Sequence, residues 1–365
     1  MERPFKNAAA IYPGDEWQTR APAEMGFDSE ALHAILPKNG IGGAIIRSGY
    51  LVATWGNPDE AFQTASLGKS ITTTVLGLAV DAGLIKLDDP VHQTWTGERE
   101  LSHSYKYLNH GHHKDVTWRQ LGAMTAGFTN NDDPAVGEGD LTTNYAQMRP
   151  GQWLYSGGGM WRLTQLLTKV WGRDLRDLLV ERIFKPIGVP DDRWDWLTGQ
   201  YVHDHPFYPP RKGYAGTYGG YLDPPYNING HAVRGGPGWV VFSAKDAARF
   251  GYLFLRNGTW KDKQLISKEW VSLVQTSGPD PNFPHYSIGW RLSPRGIYQA
   301  TGANVDIPHT YSWIAVAPEH EVVITGIKTT ETPIAPNWQQ LTVGKEVALD
   351  WNHKVLDTIV GPPQL

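Results

Sequence analysis

The chain contains no cysteine. Disulfides, thiolate metal sites and a cysteine nucleophile are therefore excluded, and the redox compartment stays open. It also lacks an excess of either charge, with 33 basic residues against 37 acidic ones and a formal net charge of −4. That balance gives no electrostatic footing for nucleic acid or an anionic membrane as partner. No apolar run has the length of a transmembrane helix. The stretch Met1 to Ala10 holds no apolar core of the roughly 7–15 residues that a secretory signal needs. The expectation is a soluble, cytoplasmic protein, although a chain whose leader had been removed would read the same way. No fixed-period repeat or low-complexity tract is present, which sets solenoids and propellers aside.

What the chain does have is 365 residues with enough apolar content for a large core, as one two-lobed unit or two domains. Sixteen Trp and 16 Tyr accompany 40 Gly and 26 Pro, a composition of long ordered loops with aromatic side chains beneath them. A wide aromatic cleft for an apolar substrate has the same composition.

Asp28 or Ser29 caps an expected helix through Leu36. Gly43–Arg47 and Tyr50–Trp55 read as a β-hairpin about Ser48-Gly49. An apolar helix from about Ser66 to Ala82 follows directly. From Asp88 to about Trp239 helix and loop dominate, with helices expected near Trp118–Met124, Met160–Val170 and Leu175–Ile183. Thr198–Gly238, dense in Pro, Gly and Tyr, reads as a long irregular loop. Ser243 caps a helix through Leu255, and strands return at Tyr286–Leu292, Ile297–Ala300, Tyr311–Ala317 and Glu321–Lys328. Trp338–Ile359 is amphipathic and is expected to pack as a helix. The fold class is mixed α/β (α+β): one antiparallel sheet flanked by helices. Residues 1–85 and 240–365 form an α/β lobe built from both chain ends, and residues 86–239 are inserted as a mainly helical lobe with the long loop 198–238.

Ser66 is the only serine followed by a lysine three positions later. Residues three apart on a helix share a face, so Ser66 Oγ and Lys69 Nζ can meet at its start. Unpaired amides and a positive dipole end favour charge on an attacking oxygen there, while a desolvated lysine moves toward its proton-accepting form. Alone, a Ser-x-x-Lys match arises by chance on many helices. Pro150–Gly159 places Tyr155 on a glycine-rich turn before a helix. Against a charged Lys69, its phenol falls from a reference value of about 10 toward the working range and can relay the Ser66 proton. A tyrosine in such a turn is more often a packing residue.

Ser66-Leu67-Gly68-Lys69, Tyr155-Ser156-Gly157 and Ala300-Thr301-Gly302, in that order, resemble the three-element signature of the serine β-lactamase and penicillin-binding-protein superfamily. The likeness is greatest to the class C branch, with its family VIII carboxylesterases, D-aminopeptidases and 6-aminohexanoate-dimer hydrolases. It extends over about Met25 to Ile327 and includes Ala82–Val91, Trp118-Arg119-Gln120-Leu121, Thr125–Phe128, Gly235-Gly236-Pro237-Gly238-Trp239 and Ser243–Phe250. The resemblance implies a β-lactamase/transpeptidase-like fold, with Ser66 as acylated nucleophile and Lys69 and Tyr155 as its proton network. It further implies an oxyanion hole from the backbone N–H groups of Ser66 and Ala303, and substrate contacts at Gly157, Thr301 and Gly302. No metal or organic cofactor is implied.

Two departures bear on substrate. Gly157 stands where the β-lactam-processing members carry Asn, and Ala300 where they carry Lys. A hydrogen bond to a charged group is worth about 1.5–3 kcal/mol, or roughly ten- to a hundred-fold in binding, so the missing lysine argues against β-lactams. Arg295 or Lys328 would restore positive charge there, and Asn304–Tyr311 reads as an insertion before the next strand. No Gly-x-Ser-x-Gly elbow exists, which closes the α/β-hydrolase route.

His110, His112 and His113, and His203-Asp204-His205, lie in polar loops without helix-spaced pairs and read as surface histidines rather than zinc ligands. Asn257-Gly258-Thr259 reads as a turn. The functional expectation is a serine hydrolase acting through an acyl-enzyme on esters or amides of small apolar substrates. The alternatives are a β-lactamase or D-amino-acid peptidase, and a non-catalytic ligand-binding protein on the same scaffold. The expected partner is a small molecule, with oligomeric state left open.

Overall fold

β1 (Gly42–Arg47) and β2 (Tyr50–Gly56) form the expected hairpin, with φ of +51° at Ser48 and +89° at Gly49. Two consecutive left-handed residues give the turn that matches strand twist. Only glycine fits the second, because a Cβ at Gly49 would lie 2.2 Å from the Ile11 carbonyl oxygen. The computed structural model describes residues 10–94, 114–128, 150–204, 225–276, 278–304, 309–333 and 350–364. Four later strands complete the sheet: β3 (Arg291–Ser293), β4 (Ile297–Asn304), β5 (Thr310–Ala317) and β6 (Val322–Thr329). The order is β3-β4-β5-β6-β1-β2, antiparallel throughout, with Gly42–Arg47 paired to Ile327–Val322. Both ends of the chain therefore build one sheet, as its strand signals imply.

Alternation along the strands gives the sheet two apolar faces. Ala44, Ile46, Ile314, Val316 and Val323 join the larger core, which the helix Ala244–Leu255 shares through Ala247, Ala248 and Phe250. That helix lies so close that a Cβ at Gly251 would come within 2.7 Å of Ile314 and Val323. Ile45, Trp313, Ala315 and Ile324 face the opposite way, onto α1 (Ser29–Ile35) and the helix Trp351–Asp357. Side-chain caps fall where the sequence puts them, Asp28 accepting from Ala31 N and Ser243 from Asp246 N.

Between the strands in sequence come α2 (Gly68–Asp81), α3 (Trp118–Gly122), α4 (Gly157–Trp171) and α5 (Leu175–Leu179), the last running into a π turn at Val180–Phe184. α2 is buried on all sides from Gly68 to Ala79. Its hydroxyls satisfy themselves on backbone: Thr72 donates to Gly236 O at 2.8 Å and Ser70 to Gly289 O at 2.5 Å.

Three expectations need correction. Tyr286–Leu292 is not a strand. Its alternating Tyr286, Ile288 and Trp290 are core residues of a tight loop, in which Gly289 has φ +74° and packs on Thr73; Tyr286 makes a single isolated bridge to Arg291, where the strand begins. β4 runs on to Asn304, which pairs with Thr310, and residues 305–308 of the expected insertion lie outside the described residues. Gly157–Gly159 form the first turn of α4 and not a turn ahead of it; Ser156 is the cap, accepting from Gly159 N at 2.8 Å. Of Trp338–Ile359, residues 338–349 lie outside the described residues, and Trp351–Asp357 is helical. The segment 198–238 is not irregular throughout: Gly199–Asp204 is helical and Asn227–Ile228 pairs with His231–Ala232, while residues 205–224 lie outside the described residues. Among the described residues no helix is long and apolar enough to cross a membrane.

Candidate active site

Ser66 lies on a 3₁₀ turn, Ala65–Leu67, that feeds α2, and not on the α-helix itself. Three residues per turn bring positions i and i+3 into line, so the Ser66–Lys69 spacing works as well here as on an α-helix. Backbone contacts hold the turn. Ala65 has φ +52° with its N–H on Gln63 Oε1 at 2.5 Å, and Thr64 bonds Val240 O through both N and Oγ1, at 2.9 and 2.8 Å. A Cβ on Gly68 would lie 2.7 Å from Gly238 Cα, so the segment Gly235–Trp239 presses backbone against backbone on the start of α2.

Lys69, only 3% exposed, donates from Nζ to Ser66 Oγ at 3.0 Å, Tyr155 OH at 2.9 Å and Pro237 O at 2.9 Å. Three acceptors match the three donors of an ammonium. Burial pushes the Lys69 amine below its ordinary range, opposed by Tyr155 and reinforced by Arg291. Burial alone would raise the half-buried Tyr155 phenol, but the charges of Lys69 and Arg291, with hydrogen bonds from Lys69 and Ser66, outweigh it and hold the phenol below its usual value. The two directions describe one pair that holds fewer protons than separate groups would.

β4 closes the site. Gly302 is so near the nucleophile turn that a Cβ would stand 2.2 Å from Thr64 O and 2.8 Å from Ser66 N. This contact fixes the register of Ala300-Thr301-Gly302 and sets Ala303 as the next residue along, opposite Tyr311. Of the predicted site residues, Ser66, Lys69 and Tyr155 converge and Gly302 abuts them. Gly157 opens α4, and the buried Thr301 binds an arginine.

Arg295 does not replace the missing lysine, since it forms an exposed ion pair with Asp357 at 2.6 Å. Lys328 is buried on β6 with Nζ 4.2 Å over the Phe62 ring. Arg291 is the cation at this element, its Nε donating to Thr301 Oγ1 at 2.6 Å. Sequence reading missed it because Tyr286–Leu292 looked like an extended strand. It also missed Pro237, whose contribution is a carbonyl; the run Gly235-Gly236-Pro237-Gly238 is the signal that backbone approaches closely there.

An aromatic cluster, the aromatic wall, packs beside Tyr155. Trp153 stacks on Phe283 with centroids 4.1 Å apart, and lies 6.5 Å from Tyr155 and 5.8 Å from Tyr286. Asp280, 5% exposed, latches this wall by accepting from Trp153 N at 2.7 Å and Asn282 N at 2.9 Å. Among the described residues no cluster of His, Asp and Glu has the arrangement of a metal site. His110, His112, His113 and His205 lie outside them, as do the side chains of His203 and Asp204.

Comparison with known proteins follows the same lines. The β-lactamase family model matches residues 37–343. An uncharacterised protein of Alkalihalophilus pseudofirmus is 24% identical over 280 residues, covering 73% of this chain and 72% of that one. A D-stereospecific amidohydrolase from a Streptomyces species superposes with a TM-score of 0.57 at 18% identity, over 92% of this chain and 98% of its own. A class C β-lactamase from Rhodobacter sphaeroides does so with a TM-score of 0.56 at 17% identity, over 91% and 100%. Such identities speak to fold alone, and the fold is that of β-lactamase-like serine hydrolases. With most of its length matched by the family model, the chain belongs to the β-lactamase family.

Proposed function

We propose that the protein is a serine hydrolase that acts through an acyl-enzyme on esters or amides of small apolar substrates. The observation that carries this reading is the convergence of hydroxyl, amine and phenol: Lys69 Nζ stands 3.0 Å from Ser66 Oγ and 2.9 Å from Tyr155 OH. Ser66 Oγ attacks the substrate carbonyl carbon while its proton passes to the Lys69–Tyr155 pair. The resulting oxyanion is received by the N–H groups of Ser66 and Ala303. Collapse breaks the bond to the alcohol or amine, which takes the proton from Tyr155. Water then attacks the acyl-enzyme by the same route, releasing the acid and restoring Ser66. The aromatic wall of Trp153, Phe283 and Tyr286 supports an apolar acyl or leaving group.

The test is incubation with p-nitrophenyl butyrate and with nitrocefin, followed by mass spectrometry for an acyl adduct on Ser66. Ester turnover that Ser66→Ala abolishes supports the proposal. Nitrocefin turned over faster than the ester points instead to a β-lactamase. The absence of any turnover or adduct leaves a ligand-binding protein on this scaffold.

A further inference from the structure

Ala300 is buried and uncharged, yet a cation reaches the neighbouring Thr301 from the adjacent strand. Arg291 opens β3 and pairs in register with Gln299 of β4. Besides its 2.6 Å bond to Thr301 Oγ1, its Cζ lies 5.8 Å from the Tyr155 ring centroid and 5.7 Å from that of Tyr286. A guanidinium can commit Nε to a hydroxyl while its delocalised charge stands over a phenol, which a point-like ammonium cannot do from this distance.

We propose that Arg291 is a positioning residue of this site, supplied from β3 in place of a lysine at Ala300. It holds Thr301 on one side, and on the other it sets the charge against which Tyr155 receives and returns the Ser66 proton. The inference rests on the acyl-enzyme reading above. A buried arginine can also anchor a substrate carboxylate, and accessibility decides between the two roles. Arg291 is 9% exposed with Nη1 closed off from solvent, whereas Tyr155 already lies within its field.

The groups around Tyr155 come from four directions. Lys69 reaches it from α2, Ser66 from the 3₁₀ turn, Arg291 from β3 and the Tyr286 phenol from the loop before β3. The Asp280 carboxylate stands two residues away, on the amide of Trp153. Burial keeps the Tyr286 phenol protonated, so the charges that favour an ionised Tyr155 are those of Lys69 and Arg291. Neutralising Arg291 removes one of two.

The experiment labels tyrosine Cζ with ¹³C, identifies the Tyr155 resonance by its loss in Tyr155→Phe, and titrates wild type, R291K and R291Q. In R291Q the Tyr155 midpoint is expected to rise by about one pH unit or more. The acid limb of kcat/KM for p-nitrophenyl butyrate should move up with it while KM changes little; R291K, which keeps a charge but not the fork that holds Thr301, should shift the midpoint less than R291Q without restoring wild-type behaviour. An unmoved midpoint in R291Q overturns the proposal, as does a rise in KM alone. R291M replaces R291Q if the latter does not fold. Wild type without turnover but with the midpoint shifted by R291Q sinks the hydrolase reading and leaves standing only the charge coupling of Arg291 to Tyr155. Ester turnover with an unmoved midpoint does the reverse.

Discussion

Gly302 has no room for a methyl group: a Cβ would stand 2.2 Å from the carbonyl oxygen of Thr64, one residue before the 3₁₀ turn that carries Ser66. The obstacle is backbone, which cannot step aside as a side chain can. Gly302→Ala is expected to push β4 away from the turn, costing about 1–3 kcal/mol of stability. Ester turnover should fall on the order of a hundred-fold, because a misplacement of about 1 Å is enough for that loss. Urea denaturation and kcat/KM together check it; a variant with wild-type turnover would show that the amides beside Ser66 do not need this contact.

Lys69 and Tyr155 share a 2.9 Å hydrogen bond and, on the proposed mechanism, act on one proton. Lys69→Ala and Tyr155→Phe are each expected to lower kcat roughly a hundred-fold or more, with the double variant losing little beyond either. Steady-state kinetics on the three proteins decides this. Losses that multiply would mean independent roles.

The pH dependence follows from the same pair. Both groups are held below their ordinary values, so the native protein binds fewer protons than the unfolded chain between those lowered values and about 10. Stability contributed by the pair therefore rises with pH across that window and is lost as pH falls through the folded values. Lys69→Met, which carries no buried amine, should exceed wild type in unfolding midpoint at neutral pH, and the gap should narrow toward pH of about 10. Thermal melts at several pH values test the sign. In turnover, kcat/KM should rise with pH through the lowered value of the pair.

Asp280 ties two backbone amides together, Trp153 N and Asn282 N. Asp280→Ala leaves both N–H groups without their acceptor and should cost about 1.5–3 kcal/mol, the range for a hydrogen bond to a charged group. The aromatic wall then loosens beside Tyr155. KM for p-nitrophenyl butyrate should rise more than kcat falls, and Asp280→Asn should recover part of both.

Much of this was legible in the sequence because it is written in side chains. The Ser-x-x-Lys spacing, the tyrosine before a capped helix, the Ser48-Gly49 turn and the Ser243 cap each follow from the chemistry of the residues themselves. What escaped reading is written in backbone and in distance. Pro237 acts through a carbonyl oxygen from 168 positions away, so its residue type carries no trace of the role. Arg291 was hidden by alternation, for a loop that buries Tyr286, Ile288 and Trp290 in turn copies the period of a strand. The 3₁₀ geometry at Ser66 left no mark either, since positions three apart meet in both kinds of helix.

The pairing of β1 with β6, residues 42–47 against 322–327, sets a condition on when chemistry can begin. Gly302, Thr301 and Arg291 reach the Ser66 turn only on strands translated at least 225 residues after it. A growing polypeptide on the ribosome carries Ser66 and Lys69 long before the sheet that completes their surroundings exists. On the proposed mechanism Ser66 is thus born idle, and ester turnover should appear abruptly once β3 and β4 have joined the sheet.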